Sequence, residues 1–153
     1  MSQEEYLDVT VFCADRRVSR AEFKEYMFGL STPWPDSIQV ARELAAAGRT
    51  RLATLNNESE ALNVHRLERF ALHAIFPTFF TSCWLGVRKP MRRFYNSALG
   101  IAHARPGDSL FIDDRQQNLT PAASLGMSVL LYKSAPQLRS DLERFLDLKI
   151  TGA

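Results

Sequence analysis

The chain has 153 residues, 46% hydrophobic and 24% charged, with a net charge of +2. That is one domain's worth of chain, long enough to bury a real core, and its small, dispersed charge excludes a basic nucleic-acid surface as the starting hypothesis. Two cysteines, Cys13 and Cys83, are too few for a disulfide framework and read as free thiols of a reducing compartment. No long uncharged apolar run could span a membrane. The start MSQEEY is acidic and polar, unlike a signal peptide, so the cytoplasm is the expected location. The ten phenylalanines should anchor a core or an interface.

In chain order, Leu7, Val9 and Val11 alternate with Asp8 and Thr10, which predicts a short strand running to Cys13. Ser19 with Glu22 three residues on reads as the capped start of a helix that Gly29 stops. Pro33-Trp34-Pro35 is a rigid turn. Asp36 to Ala47 is a helix with Ile38, Ala41, Leu44 and Ala45 on one face, closed by Gly48. Residues 51–55 form a strand that Asn56-Asn57 breaks, and a helix carrying Leu62, Leu67 and Phe70 follows. Phe79 to Leu85 reads as strand. Gly86 and Lys89-Pro90 then lead into a helix with Phe94, Ala98 and Leu99, Pro90 suiting its start.

Pro106-Gly107-Asp108 is a turn before a buried strand at 110–112, and a helix after it ends at Gly126. Residues 128–132 form another strand. The last helix runs from Pro136 to Leu148 with Leu138, Leu142, Phe145 and Leu146 inward. Short, continuously apolar strands alternating with helices predict an α/β fold, a mostly parallel sheet covered on both faces. Such sheets bind ligands at the carboxyl ends of their strands. Asn56, Asn57, Asp113 and Asp114 all fall just past such ends and can share one rim.

Adjacent carboxylates repel unless a cation joins them. A hard divalent ion with oxygen ligands, Mg²⁺ beside phosphates, is the natural partner of Asp113 and Asp114. Lys89 could pair with those carboxylates or hold a phosphate as a point charge. Asn56 and the amides after it open a helix, a place for an anion. Each signal alone has a plainer reading. Asp114 can cap a turn, Lys89 can be a solvated charge, and Asn56-Asn57 can be a turn and helix cap. His65, His73 and His103 read as surface, packing or loop residues, because no carboxylate or cysteine spacing makes them a zinc site.

Taken in order, LATLNNES at 52–59, GVRKP at 86–90 and FIDDRQQNLTPAASLGM at 111–127 resemble the haloacid dehalogenase superfamily. The likeness is strongest to the branch of haloacid dehalogenases and the phosphatase domain of soluble epoxide hydrolases, and covers roughly residues 30 to 148. The resemblance implies a Rossmann-like core and roles residue by residue. Asn56 stands where the family has a phosphoryl-binding Ser or Thr, Lys89 is the charge-balancing lysine, Asp113 and Asp114 are acidic Mg²⁺ ligands, and Asn118 has a supporting role.

The family's first motif, an apolar strand followed by DxD that supplies the attacking carboxylate, does not occur. The resemblance thus implies a truncated member whose first core strand is missing or replaced, with residues 1–30 a cap remnant or replacement strand plus helix and 31–153 the core. That strand would lie between those at 51–55 and 110–112. Three repairs are open: the flanking strands pair directly, a partner chain donates a strand, or residues 8–13 fill the gap. In the last case Cys13 and Asp15 would take the positions of the missing motif, although a thiolate beside carboxylates is disfavoured by charge. Two functions follow. One is a Mg²⁺-dependent hydrolase of small phosphomonoesters. The other is a catalytically inactive binding or oligomeric module, for which exposed strand edges favour a dimer.

Overall fold

The computed structural model describes residues 3–147 and 149–150. Four strands of four residues each form two parallel pairs. β1 (Ala53–Asn56) pairs with β2 (Thr78–Thr81), Ala53 opposite Thr78. β3 (Leu110–Asp113) pairs with β4 (Ser128–Leu131), Leu110 opposite Ser128. Parallel strands need long crossovers. Helix α4 (Glu60–Arg69) lies between β1 and β2, the short α5 (Ser82–Leu85) and α6 (Arg92–Ile101) between β2 and β3, and α7 (Gln116–Ala123) between β3 and β4. Helices α3 (Pro35–Ala46) and α8 (Ala135–Leu146) flank this run. The fold is α/β, with parallel strands flanked by helices.

Successive strand residues point to opposite faces, and each face has its own core. On one, Val40 and Leu44 of α3 meet Leu138 and Leu142 of α8, with Leu52, Leu110, Ile112 and Leu130 against them. On the other, Tyr95 of α6 packs with Phe111 and with Leu119 and Ala122 of α7, and Leu55 and Leu131 join them. Leu55 of β1 reaches the second core and Leu52, just before β1, the first, so β1 lies between the two cores in one layer with β3 and β4. That layer is nevertheless split. β1 bonds only to β2 and β3 only to β4, and among the described residues no backbone hydrogen bond joins β1 to β3.

The helix ends follow the sequence signals in part. Ser19 and Glu22 form a reciprocal capping box at the start of α2 (Arg20–Gly29), and Ser134 with Gln137 forms a second one at α8. Gly48 adopts a left-handed φ of 65° after α3, a conformation open to glycine at little cost. Pro90 does not open a helix, because α6 begins at Arg92.

Three expectations are corrected. Residues 8–13 are not a strand: Gln3–Thr10 is helix α1 and a turn follows. The physical reason is the side-chain pairing. Glu4 and Asp8, one helical turn apart, pair with Lys24 and Arg20 of α2, so that α1 and α2 lie antiparallel. Phe12 then packs edge-on against Phe23 at 5.9 Å, and Cys13 is exposed. Second, strand β2 ends at Thr81 and residues 82–85 turn into a helix closed by Gly86. Third, Phe145 is 50% exposed rather than inward. Leu148, the expected last residue of α8, lies outside the described residues.

Candidate active site

Asp113 is the last residue of β3 and is buried. Lys89 Nζ donates to its Oδ2 at 2.7 Å, and Oδ1 accepts from the Arg115 amide at 2.9 Å and from Asn118 Nδ2 at 2.9 Å. Burial pushes this carboxyl up, but the bonds from Lys89, Asn118 and Arg115, with the charge of Lys89, bring it below the ordinary carboxylate range. Asp113 therefore stays ionised inside the protein.

Two supports hold this pair. The Asn57 side chain clamps the backbone of Lys89: its Oδ1 accepts from the Lys89 amide at 2.8 Å, and its Nδ2 donates to the Lys89 carbonyl at 3.0 Å. The Lys89 ammonium also lies 5.6 Å from the centre of the Phe111 ring, a cation–π distance. Behind Asp113, the buried Tyr95 hydroxyl donates to the Asn118 carbonyl at 2.7 Å. Burial, and then the charge of Asp113, push the Tyr95 hydroxyl up to about 12. Tyr95 positions Asn118, and Asn118 positions Asp113.

The structure thus joins Lys89, Asp113, Asn118 and Asn57. Asn56 belongs to a different set. Its Oδ1 accepts from Thr81 Oγ1 at 3.0 Å and its Nδ2 donates to Asn63 Oδ1 at 2.8 Å. The helix after it starts only at Glu60, and the Glu58 amide already donates to Ser82 Oγ at 3.0 Å. The expectation that Asn56 opens a helix whose first amides are free for an anion is therefore corrected. One N–H of the Asn56 amide is left for a ligand. Asp114, just beyond β3, is exposed and makes no hydrogen bond or ion pair among the described residues.

The donor set suits Mg²⁺ in type. That ion is commonly held by one or two carboxylates and keeps several waters. Asp113 and Asp114 are two adjacent carboxylates, and among the described residues no group of three His, Cys, Asp or Glu forms a fuller cage. Asp113 Oδ2 accepts from Lys89 alone, so one of its lone pairs is left without a hydrogen bond. The histidines lie elsewhere: His65 stacks on Phe28 at 4.7 Å, His73 packs against Phe79 at 4.9 Å, and His103 sits in a turn with φ of 48°. A cavity of about 500 Å³ lies between β4 and α8, lined by Val129, Leu131 and Phe145 among others, and none of its lining residues belongs to the Lys89–Asp113 group.

Sequence reasoning placed Asn57 on the rim without a role of its own, with a turn and helix cap as its plainer reading, and did not single out Tyr95 or Thr81. Asn57 had one usable signal, its position beside Asn56 past a strand end. Tyr95 and Thr81 had none, because only folding brings them to their partners.

Comparison with known proteins fits this geometry. Flavin mononucleotide hydrolase 1 of Arabidopsis thaliana is 37% identical over 75 residues, covering 49% of this chain and 31% of that protein. Bifunctional epoxide hydrolase 2 of Rattus norvegicus is 29% identical over 118 residues, 75% of this chain and 20% of that one. The glyceraldehyde 3-phosphate phosphatase of Methanothermobacter thermautotrophicus is 27% identical over 108 residues, 70% and 47% of the two chains. The chain thus spans less than half the length of each of these relatives. Among solved structures, a HAD family enzyme of Bacteroides thetaiotaomicron superposes with a TM-score of 0.78 at 18% identity, over 88% of this chain and 68% of that one. The same enzyme solved with magnesium and inorganic phosphate gives 0.76 at 17% identity, over 88% and 70%. Residues 2–126 match the family described as haloacid dehalogenase-like hydrolase. A match over so much of the chain, on a core with parallel strands and helices on both faces, shows that this protein belongs to the haloacid dehalogenase-like hydrolase family.

Proposed function

We propose that this chain carries the phosphate- and Mg²⁺-binding part of a hydrolase acting on a small phosphomonoester. The observation that carries the reading is the buried Lys89–Asp113 pair, fixed from both sides by Asn57 and Asn118. Asp113 and Asp114 would hold the ion, which when bound polarises a phosphoryl oxygen as a Lewis acid. Lys89 supplies a fixed positive charge where charge gathers on a phosphoryl group. Asn56 offers its remaining N–H to the anion. Two relatives support a phosphorylated substrate, the glyceraldehyde 3-phosphate phosphatase and the HAD family enzyme solved with magnesium and phosphate.

A second reading has its own observation. The only carboxylates assigned to the rim are Asp113 and Asp114, both given to the ion, so no attacking carboxylate is identified among the described residues and covalent catalysis has no nucleophile. The chain would then act as an inactive binding or oligomeric module, in the cytoplasm and as a homo-oligomer. Among the described residues no helix is long and apolar enough to cross a membrane.

The deciding experiment assays p-nitrophenyl phosphate with and without Mg²⁺, and follows Mg²⁺ and inorganic phosphate binding by calorimetry. Hydrolysis that needs Mg²⁺ and disappears in Asp113→Asn supports the enzyme. Binding without turnover supports the module. Neither binding nor turnover overturns the enzyme, and a monomer by light scattering then overturns the module as well.

A further inference from the structure

The rim carries more positive charge than one phosphoryl group uses. No Asp or Glu occurs between Glu68 and Asp108. That stretch holds Lys89 with Arg88, Arg92 and Arg93, and Arg115 follows directly after Asp114. All four arginines are exposed. Among the described residues none of their side chains makes a hydrogen bond or an ion pair, whereas Lys89 is bonded to Asp113. Arg115 forms no pair even with its neighbour Asp114.

The fold brings two of these arginines together. Arg92 is the first residue of α6, and Arg115 is the cap before α7. The Tyr95 hydroxyl donates to the Asn118 carbonyl at 2.7 Å. Tyr95 lies three residues after Arg92 and Asn118 three residues after Arg115, a spacing that keeps each pair on one side of its helix. The bond between the two helices therefore stands Arg92 beside Arg115 at the ends nearest the strand tips. Packed helices lie about 8–10 Å apart, so the two side chains can converge on one group. The pair also borders the site already described. The Arg115 amide donates to Asp113 Oδ1 at 2.9 Å, and Lys89 is only three residues before Arg92, at most about 10 Å of chain.

Local energetics disfavours this arrangement in the absence of an anion. Positive charge at the start of a helix opposes its dipole. Helices α1 to α4 each carry an acidic residue in the first turn, but α6 and α7 carry none and begin at arginine. Two like charges side by side add repulsion. An oxyanion between them relieves both costs, and the planar fork of arginine bonds a carboxylate or a phosphate through two oxygens.

We infer that Arg92 and Arg115 form a second oxyanion subsite, and that the substrate is a small phosphomonoester with a further carboxylate or phosphate at its far end. This subsite rests on the phosphate reading above. There Mg²⁺, Lys89 and Asn56 serve the first phosphoryl group, and the arginine pair takes the second group within about 10 Å of it. Arg88 and Arg93 strengthen the field that draws an anion to the rim.

Calorimetric titration of the full chain in excess Mg²⁺ tests the subsite without requiring turnover. Three probes share one carbon spacer: propyl phosphate, propane with a phosphate at each end, and the phosphate ester of terminal hydroxypropanoate. The second oxyanion should tighten binding about tenfold or more over propyl phosphate, and the tighter of the two charged probes names the group. Arg92→Gln and Arg115→Gln should each bring that ratio down toward one, while Arg115→Lys should keep part of it. Arg42→Gln, exposed on α3 at the opposite face, should keep it in full. Urea unfolding checks that each variant is folded. Binding of propyl phosphate with no gain for either charged probe overturns the subsite and leaves the phosphate reading standing. A gain that survives both glutamine variants, or that falls equally in Arg42→Gln, also overturns it. If no probe binds, the subsite and the phosphate reading fall together.

Discussion

The two strand pairs have the same strand length and the same parallel pairing, and yet their first strands, β1 and β3, differ in burial and in charge. In β3 the residues alternate between half-buried and buried, with Phe111 6% and Asp113 8% exposed. In β1 no residue reaches that burial, and Ala53 is exposed. β3 ends in an ionised carboxylate held by three donors, whereas β1 ends in a neutral amide bonded to Thr81 and Asn63. A buried charge demands a complete set of partners, while a neutral amide tolerates an incomplete one. The charged chemistry thus gathers at β3, the better-buried of these two strands, and β1 and β2 contribute to it only through Lys89 and Asn57 beyond their ends.

This contrast can be broken by substitution. Phe111→Ala in the packed half should destabilise the protein by about 4 kcal/mol, in the range for burying and then deleting a phenyl ring. Leu55→Ala, facing the same cluster from the open half, should cost about 2 kcal/mol or less because Leu55 is only half-buried. Urea unfolding of both variants measures the gap. Equal losses would show that β1 is as well packed as β3.

A smaller effect sharpens the comparison at the rim. Lys89→Ala leaves Asp113 ionised without its cation. Removing one partner of a well-buried pair costs about 3 kcal/mol, and here Lys89 and Asp113 side chains are 12% and 4% exposed. Lys89→Ala combined with Asp113→Asn should recover part of that loss, since the unpaired charge is gone. A double-mutant cycle by thermal unfolding measures the coupling, and a coupling near zero would mean that the pair contributes no stability.

The smallest expected effect tests the support behind Asp113. Tyr95→Phe deletes one buried hydrogen bond and should cost about 1 kcal/mol at neutral pH. The sign with pH is fixed by the raised hydroxyl. Tyr95 ionises at about 12 in the folded chain against about 10 when unfolded. Its contribution is therefore complete below about pH 10 and is lost as the pH rises through the folded value. The wild type should lose stability over that alkaline window more steeply than Tyr95→Phe. Parallel curves would remove Tyr95 from the support.

Much of this was legible before folding. Leu110-Phe111-Ile112 followed by two aspartates placed a strand and its acidic tip correctly, because a short apolar run in parallel sheet needs no periodicity to be recognised. The Ser19–Glu22 cap was equally local. The alternation at residues 7–13 misled. A two-residue pattern says that one face is apolar, but the Glu4 and Asp8 ion pairs with α2 decide that the backbone is helical. Asn57 was visible on the rim but its clamp on Lys89 was not, since the two are 32 positions apart.

The sequence by itself determined the order of the four strands and of the five longer helices from residue 35 on, the family resemblance and the candidates Lys89, Asp113 and Asn118, since runs, caps and motif spacing are read over a few neighbours. Tertiary structure alone decided that Lys89 crosses to Asp113, that Asn56 turns to Thr81 and Asn63, and that β1 and β3 stand unpaired. Those outcomes depend on which distant backbones come to lie side by side, and burial, charge pairing and strand geometry settle that together only in the folded chain.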